Sequence, residues 1–140
     1  VGLHRYEISN FARSGFESRH NLKYWRLEPY VGFGLDAHSF DGRIRWANPD
    51  SLKEYLPYIE SGGSPKLHVS SANISEEHFY IGLRQTAGIT PSNREWQRFQ
   101  TPIQRGIAAG LLERDKSNLR LTSKGFLLSN EIFQEFISSR

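Results

Sequence analysis

The stretch Leu112-Glu113-Arg114-Asp115-Lys116-Ser117-Asn118-Leu119-Arg120-Leu121-Thr122 gives the first indication of the fold. Its polar centre, Asp115 to Asn118, is typical of a tight turn, because short polar side chains adopt turn conformations easily. The residues that follow alternate between apolar and charged, which is the pattern of a half-buried strand. We therefore predict a two-stranded hairpin, the wing of a winged-helix arrangement.

Helical patterns lie on both sides of this hairpin. After it, Ser123 can cap a helix in which Leu128, Ile132 and Phe136 recur at spacings of four. Before it, residues that favour helix starts are repeatedly followed by proline or acidic residues. We place these starts at Asn48–Pro49, Ser75–Glu77, Thr90–Pro91 and Thr101–Pro102. The fold class predicted is α+β, mostly helical, with a winged-helix-like domain over residues 48–140.

Residues 1–47 have a different character, rich in Gly, His and aromatic residues without a helical period. Arg5 to Ser9 alternates like a short strand, Asn10 to Phe16 is typical of a loop, and Tyr30 to Phe40 is an apolar segment interrupted by glycine. A domain seldom opens with so long a stretch of such limited packing potential. We expect the chain to begin inside a domain.

Composition excludes several classes of site. The 140 residues include no cysteine, which rules out disulfides, a thiolate zinc site and a cysteine-ligated iron–sulfur cluster within this chain. The sequence contains neither a membrane-spanning apolar run nor the start of a signal peptide, so we predict a cytoplasmic protein. A net charge of +3, spread along the chain, is more typical of a solvated surface than of a nucleic-acid site.

The string His20-Asn21-Leu22-Lys23-Tyr24-Trp25 is the most suggestive local motif. We predict that it lies in a polar loop, where the imidazole of His20 would be accessible. Neutral imidazole is a common axial ligand of haem iron, and Tyr24 and Trp25 could cover a porphyrin face. The alternative is a surface histidine without a ligand.

Two other patterns are weaker indications of a functional site. Gly32-Phe33-Gly34 permits a close backbone approach, but the third glycine of a dinucleotide fingerprint is missing. Asp36, His38 and Ser39 have the side chains of a hydrolase triad, yet such neighbours in sequence do not form one. No histidine pair has the helical spacing of a zinc site.

Nucleic-acid binding is the main alternative function, because winged helices often bind DNA. In the recognition position, Thr101 to Leu112, only Gln104 and Arg105 could contact bases or phosphates. Trp96 and Phe99 have the spacing of core residues rather than of a stacking platform. A packing module is therefore the favoured interpretation of this domain.

Five motifs together resemble a known family. They are, in order, Tyr6–Ala12, His20–Trp25, Gly32–Ser39, Gly82–Arg84 and Leu121–Gly125. This series is similar to the oxygen-independent coproporphyrinogen III oxidase-like radical SAM proteins, along essentially the whole chain. The string His-Asn-x-x-Tyr resembles the haem chaperone branch of that family in particular.

The resemblance implies a division of the chain. Residues 1–47 would be the end of a radical SAM barrel with its exit loops, and residues 48–140 the family's C-terminal domain. The family's [4Fe–4S] cluster and S-adenosylmethionine would belong to the parent protein, as oxidase or haem chaperone, because this chain has no cysteine. The chain itself would not be catalytic.

The resemblance also implies site residues and partners. His20 would be the haem-iron ligand, Asn21 would orient the motif, and Tyr24 would contact the porphyrin. Small residues would line the barrel mouth near cofactor and substrate, namely Gly32, Gly34, Ala37 and Ser39. Leu35 and Asp36 depart from the small residues common in the family at that point. The implied partners are haem or a porphyrin, the N-terminal barrel and a haem-accepting protein.

Overall fold

The structure is a computed structural model that describes residues 2–63 and 67–137. Its α+β class agrees with the prediction, although helices account for about 40% of the chain rather than a majority. Residue contacts divide the chain into two compact units. We call Val1–Leu27 with Ser75–Arg140 the helical unit, and Glu28–Ile74 the sheet unit. The boundary expected after residue 47 concerns the domains of the parent protein and stays a prediction.

The helical unit contains six α-helices, a short 3-10 helix and two small antiparallel sheets among its described residues. The strands are β1 (His4–Arg5), β2 (Phe11–Ala12), β6 (Leu112–Asp115) and β7 (Asn118–Leu121). The helices are α1 (Arg19–Trp25), α3 (Ile74–Tyr80), the 3-10 helix Gly82–Arg84, α4 (Asn93–Arg98), α5 (Gln100–Ala108), α6 (Ser123–Leu127) and α7 (Ser129–Gln134).

An aromatic cluster forms the core of this unit. The ring of Phe79 lies 4.5 Å from that of Phe99 and 4.6 Å from that of Phe136, measured between centroids. All three residues are buried, and aromatic contacts of this kind add to the hydrophobic stabilisation. The expectation that Phe99 belongs to the core is confirmed, and Trp96 packs against the core while partly exposed.

The predicted hairpin is confirmed as β6 and β7, paired with Leu112 opposite Leu121 and Asp115 opposite Asn118. Ile89 adds a bridge on its other side through two 2.8 Å backbone hydrogen bonds with Leu119. Gly88 precedes this bridge with a φ of +73°, a conformation that favours glycine. Whether the surrounding helices make a winged helix stays a prediction.

Several predicted helix bounds were wrong by a few residues. The cap of α4 is Ser92 rather than Thr90, because Ser92 and Glu95 form a reciprocal capping box. The helix expected from Thr101 begins at Gln100. The single last helix is divided into α6 and α7 because Leu128, with φ −113° and ψ 27°, leaves the helical conformation.

The sheet unit is an antiparallel sheet with one helix. Its strands are β3 (His38–Phe40), β4 (Ile44–Ala47) and β5 (Leu67–Ser71), with β4 in the centre. The helix α2 (Leu52–Glu60) is capped by Ser51, so the start predicted at Asn48 was wrong. Pro57 lies inside α2 without ending it; its lost hydrogen bond is tolerable because this part of the helix is exposed to water.

None of the helices in the described ranges is long and apolar enough to cross a membrane.

Candidate functional site

The motif His20 to Trp25 lies in helix α1, so the prediction of a polar loop was wrong. The reason is the residue before it. Ser18 has extended backbone and accepts a 3.3 Å hydrogen bond from the Asn21 N–H, which is the arrangement of a helix N-cap. The Ser18 N–H in turn donates to the Tyr6 hydroxyl at 3.4 Å. Both contacts fix the start of α1 within the helical unit.

His20 and Tyr24 are one helical turn apart, and their rings meet on the same face of α1. The ring centroids are 4.9 Å apart with planes at 81°, an edge-to-face contact. His20 is exposed, whereas Asn21 and Tyr24 are partly buried. The arrangement therefore offers an accessible imidazole whose ring is supported by a neighbouring aromatic residue. Asn21 contributes to it through its backbone, as part of the cap.

The end of α1 is held by residues that the sequence analysis did not assign to the site. The Gln85 side chain, only 8% exposed, donates from Nε2 to the Trp25 carbonyl oxygen at 3.3 Å. The Arg84 guanidinium lies 5.4 Å from the Trp25 ring centroid and 5.0 Å from that of Phe133. Cation–π contacts of this kind fix aromatic side chains. The motif Gly82–Arg84 was the sequence feature that could have indicated these residues. Its contact with α1, however, joins residues about 60 positions apart.

The backbone polar groups of the glycine motif are hydrogen-bonded to other residues of the sheet unit. The Gly32 N–H donates to the buried Ser39 hydroxyl at 3.0 Å, and the Gly34 N–H donates to the Tyr55 hydroxyl at 3.1 Å. The Asn48 side chain donates to the carbonyl oxygens of Gly32 at 3.2 Å and of Gly34 at 2.8 Å. Asn48 thus fixes the loop that was expected to lie near a ligand.

The small residues of this motif allow the chain to approach itself. A Cβ on Gly32 would collide with the His38 carbonyl oxygen and lie 2.9 Å from the Ala37 Cβ. Gly34 has a φ of +98°, which favours glycine for a different reason. Phe33 between them is 86% exposed. The role of Gly32, Gly34, Ala37 and Ser39 toward a ligand stays a prediction.

Other candidate groups do not assemble into a site. Asp36 and His38 are exposed, while Ser39 is buried and bonded to Gly32. Within residues 2–63 and 67–137, no group of three or more His, Cys, Asp or Glu side chains could hold a metal ion. Arg105, the basic residue of the supposed recognition helix, lies 3.4 Å from Glu135 in an exposed ion pair.

His78 and Glu95 form a hydrogen-bonded pair of ionisable side chains in the helical unit. His78 Nδ1 lies 2.9 Å from Glu95 Oε1, and Glu95 Oε2 accepts 2.8 Å hydrogen bonds from the Ser92 N–H and hydroxyl. Burial acts to raise the pKa of Glu95, but the hydrogen bonds from Ser92 and His78 outweigh it, so this pKa lies below the ordinary value. Glu95 is therefore a fixed carboxylate that orients the His78 ring.

Comparison with known proteins places this fold in a class. Residues 69–128 match the family model described as HemN C-terminal domain. The structure also superposes on coproporphyrinogen III oxidase (HemN) from Escherichia coli, a radical SAM enzyme, with a TM-score of 0.69, 98% of this chain covered and 37% of that one. At 18% identity this likeness concerns the fold. The chain thus carries a domain of the HemN C-terminal class.

Sequence relatives narrow the class to a family. Heme chaperone HemW from Bacillus subtilis is 38% identical over 97% of this chain, and HemW from Lactococcus lactis is 32% identical over 97%. The chain belongs to the HemN/HemW-like radical SAM proteins and corresponds to their C-terminal portion. It spans 38% of the length of these two relatives. None of these relatives favours the nucleic-acid-binding alternative.

Proposed function

We propose that this chain is the haem-binding C-terminal portion of a heme chaperone of the HemW type, with His20 as the ligand of haem iron. The observation that carries the proposal is the exposed imidazole of His20 on α1, in edge contact with Tyr24. The relatives named heme chaperone HemW support it, because they match nearly the whole chain. The same proposal includes the expected cytoplasmic location and transfer of haem to an accepting protein.

The residues of α1 fit this role. A ligating imidazole must be accessible and must be held in one orientation, since lost side-chain freedom weakens binding. Exposure of His20 meets the first requirement, and the Tyr24 ring meets the second. Asn21 and Ser18 fix the first turn, so that the histidine is carried by an ordered helix. When bound, haem would supply the iron for which His20 provides the nitrogen ligand.

The radical SAM cofactors do not fit this chain. A [4Fe–4S] cluster requires cysteine thiolates, and none of the 140 residues is cysteine. We therefore assign the cluster and S-adenosylmethionine to the remainder of the parent protein. We also propose that residues 1–47 correspond to the end of its barrel and residues 48–140 to a winged-helix-like C-terminal domain. The family match over residues 69–128 lies inside the second range and supports that part.

A haemin titration followed by absorbance tests the ligand directly. We expect His20→Ala to remove the spectrum of histidine-ligated iron and to weaken binding by at least about tenfold. His38→Ala is the matched control, because His38 is also exposed and lies in the other unit. Equal spectra and affinities for the wild type and His20→Ala would refute ligation by His20.

A further inference from the structure

Helix α1 carries two cationic side chains beside His20 and no acidic residue. Its sequence, from Arg19 to Trp25, contains Arg19 and Lys23 but neither Asp nor Glu. The two cations are one helical turn apart, and like charges at this spacing repel each other and weaken a helix. Nothing in the family resemblance or the comparisons assigns a role to either residue.

No acid compensates these two charges within the described part of the chain. Arg19 and Lys23 form neither an ion pair nor a side-chain hydrogen bond there. Glu17, the acidic residue just before α1, lies 3.4 Å from His4 and accepts a hydrogen bond from the Gly15 N–H at 3.3 Å. Both cations therefore remain available to an anionic ligand.

Lys23 combines a partly covered stem with an accessible charge. The residue is partly buried, but its ammonium nitrogen is not among the buried side-chain nitrogens that lack a partner, so it is in contact with solvent. Lysine side chains often bury the hydrocarbon stem in this way while the charge stays in water. Arg19 is exposed. Both charges can thus contact a ligand without a rearrangement of α1.

The two cations lie on one flank of His20. An α-helix turns by about 100° per residue, which places Lys23 about 60° and Arg19 about 100° from His20 around the axis, in the same direction. In the other direction lie Tyr24 and Asn21, which are not basic. The charge around the imidazole is therefore one-sided.

We propose that Lys23 and Arg19 bind the propionate groups of a haem held by His20. This inference rests on the proposed function. Haem carries both propionates on neighbouring pyrroles, at one edge of the ring, while its other substituents are apolar. A flank with two cations matches this one-sided charge, because ammonium and guanidinium groups form charge-assisted hydrogen bonds with carboxylates. Lys23, which is nearer to His20 around the helix, should contribute more.

Haemin and its dimethyl ester test the proposal, because only haemin has free carboxylates. Both are titrated by absorbance in the same dilute detergent at neutral pH. We expect the wild type to bind haemin about tenfold more tightly than the ester. Lys23→Gln should remove most of this preference and Arg19→Gln a smaller part, while the spectrum of histidine-ligated iron remains in both variants.

Lys53→Gln is the matched control, because Lys53 is an exposed lysine of α2 and its replacement changes the net charge by the same amount. The control should keep the full preference for haemin. Lys23→Arg should keep it as well, since a guanidinium also binds carboxylates. An equal loss of preference in Lys53→Gln and Lys23→Gln would mean that net charge alone attracts haemin, and would overturn the proposal.

Failure of this proposal and failure of the proposed function give different results. If the spectrum depends on His20 but Lys23→Gln and Arg19→Gln both retain the preference, only the assignment of the propionates is wrong. A spectrum that His20→Ala leaves unchanged would overturn the proposed function and this assignment with it. Arg19 is exposed, so a misfolded Lys23 variant would not prevent the test.

Discussion

Helix α1 and the Gly32–Gly34 loop contain two motifs of the same family, but their polar groups are used differently. On α1 the backbone is fixed by Ser18 and Gln85, while the His20 imidazole is exposed. In the glycine loop, the N–H and C=O groups are bonded to Ser39, Tyr55 and Asn48, and the exposed side chain is the apolar Phe33. The polar groups of the glycine loop thus maintain its conformation, whereas α1 exposes a side chain that can bind a ligand.

The largest effect should come from Gly32→Ala in the loop. The new Cβ would collide with the His38 carbonyl oxygen, and backbone cannot move aside as a flexible side chain can. We expect a loss of about 3 kcal/mol in the free energy of unfolding, measured with urea. Gly63→Ala is the control, because its nearest contact would be an ordinary 3.4 Å. Equal stabilities for the two variants would show that the loop is easily deformed.

The next effect should come from Asn48→Ala. This change leaves the carbonyl oxygens of Gly32 and Gly34 without their 3.2 Å and 2.8 Å donors. Loss of hydrogen bonds from a buried side chain should reduce the free energy of unfolding by about 2 kcal/mol. Asn130→Ala, at an exposed position of α7, should change it little. A stable Asn48→Ala variant would mean that the loop keeps its shape without this side chain.

A smaller effect should come from Ser18→Ala on the α1 side of the comparison. Losing the cap should cost about 1 kcal/mol and speed hydrogen exchange at the Asn21 amide, which donates to Ser18. Ser51→Ala is a matched control, since Ser51 caps α2 without a side-chain hydrogen bond. If both substitutions had the same effect, the Ser18 hydroxyl would not be what fixes α1.

The smallest effect should come from acidification, which protonates the carboxylate of Glu17, just before α1. A hydrogen bond from its own N–H, only partly opposed by burial, lowers the pKa of Glu17 below 4.5, with further lowering from the Gly15 N–H and His4. Because the folded pKa is depressed, the stabilisation is complete above about pH 4.5 and is lost as the pH falls through the folded value.

The Gly15 amide resonance should therefore shift during acidification at a pH below 4.5, because its N–H lies 3.3 Å from Glu17 Oε1. In Glu17→Gln this shift should be absent. A midpoint at or above 4.5 in the wild type would contradict the lowered pKa.

The sequence predicted elements whose signals are local. The hairpin followed from its polar turn, and most helices followed from capping residues, with bounds off by a few positions. The helix α1 was missed because its only local signal is Ser18, and the motif that follows has no apolar period. The contact between Gln85 and the Trp25 carbonyl oxygen could not be predicted, since the two residues are 60 positions apart and the sheet unit lies between them in the sequence.

Because the helical unit is formed by two separate stretches of the chain, its folding should be slow. The Thr86 N–H donates to the Tyr6 carbonyl oxygen at 3.1 Å, so backbone groups 80 residues apart must find each other to complete the helical unit. Closing so long a loop carries an entropic cost before the contacts that it permits can form, which slows folding. On the ribosome, the segment around Tyr6 must therefore wait for the segment around Thr86, which is synthesised 80 residues later.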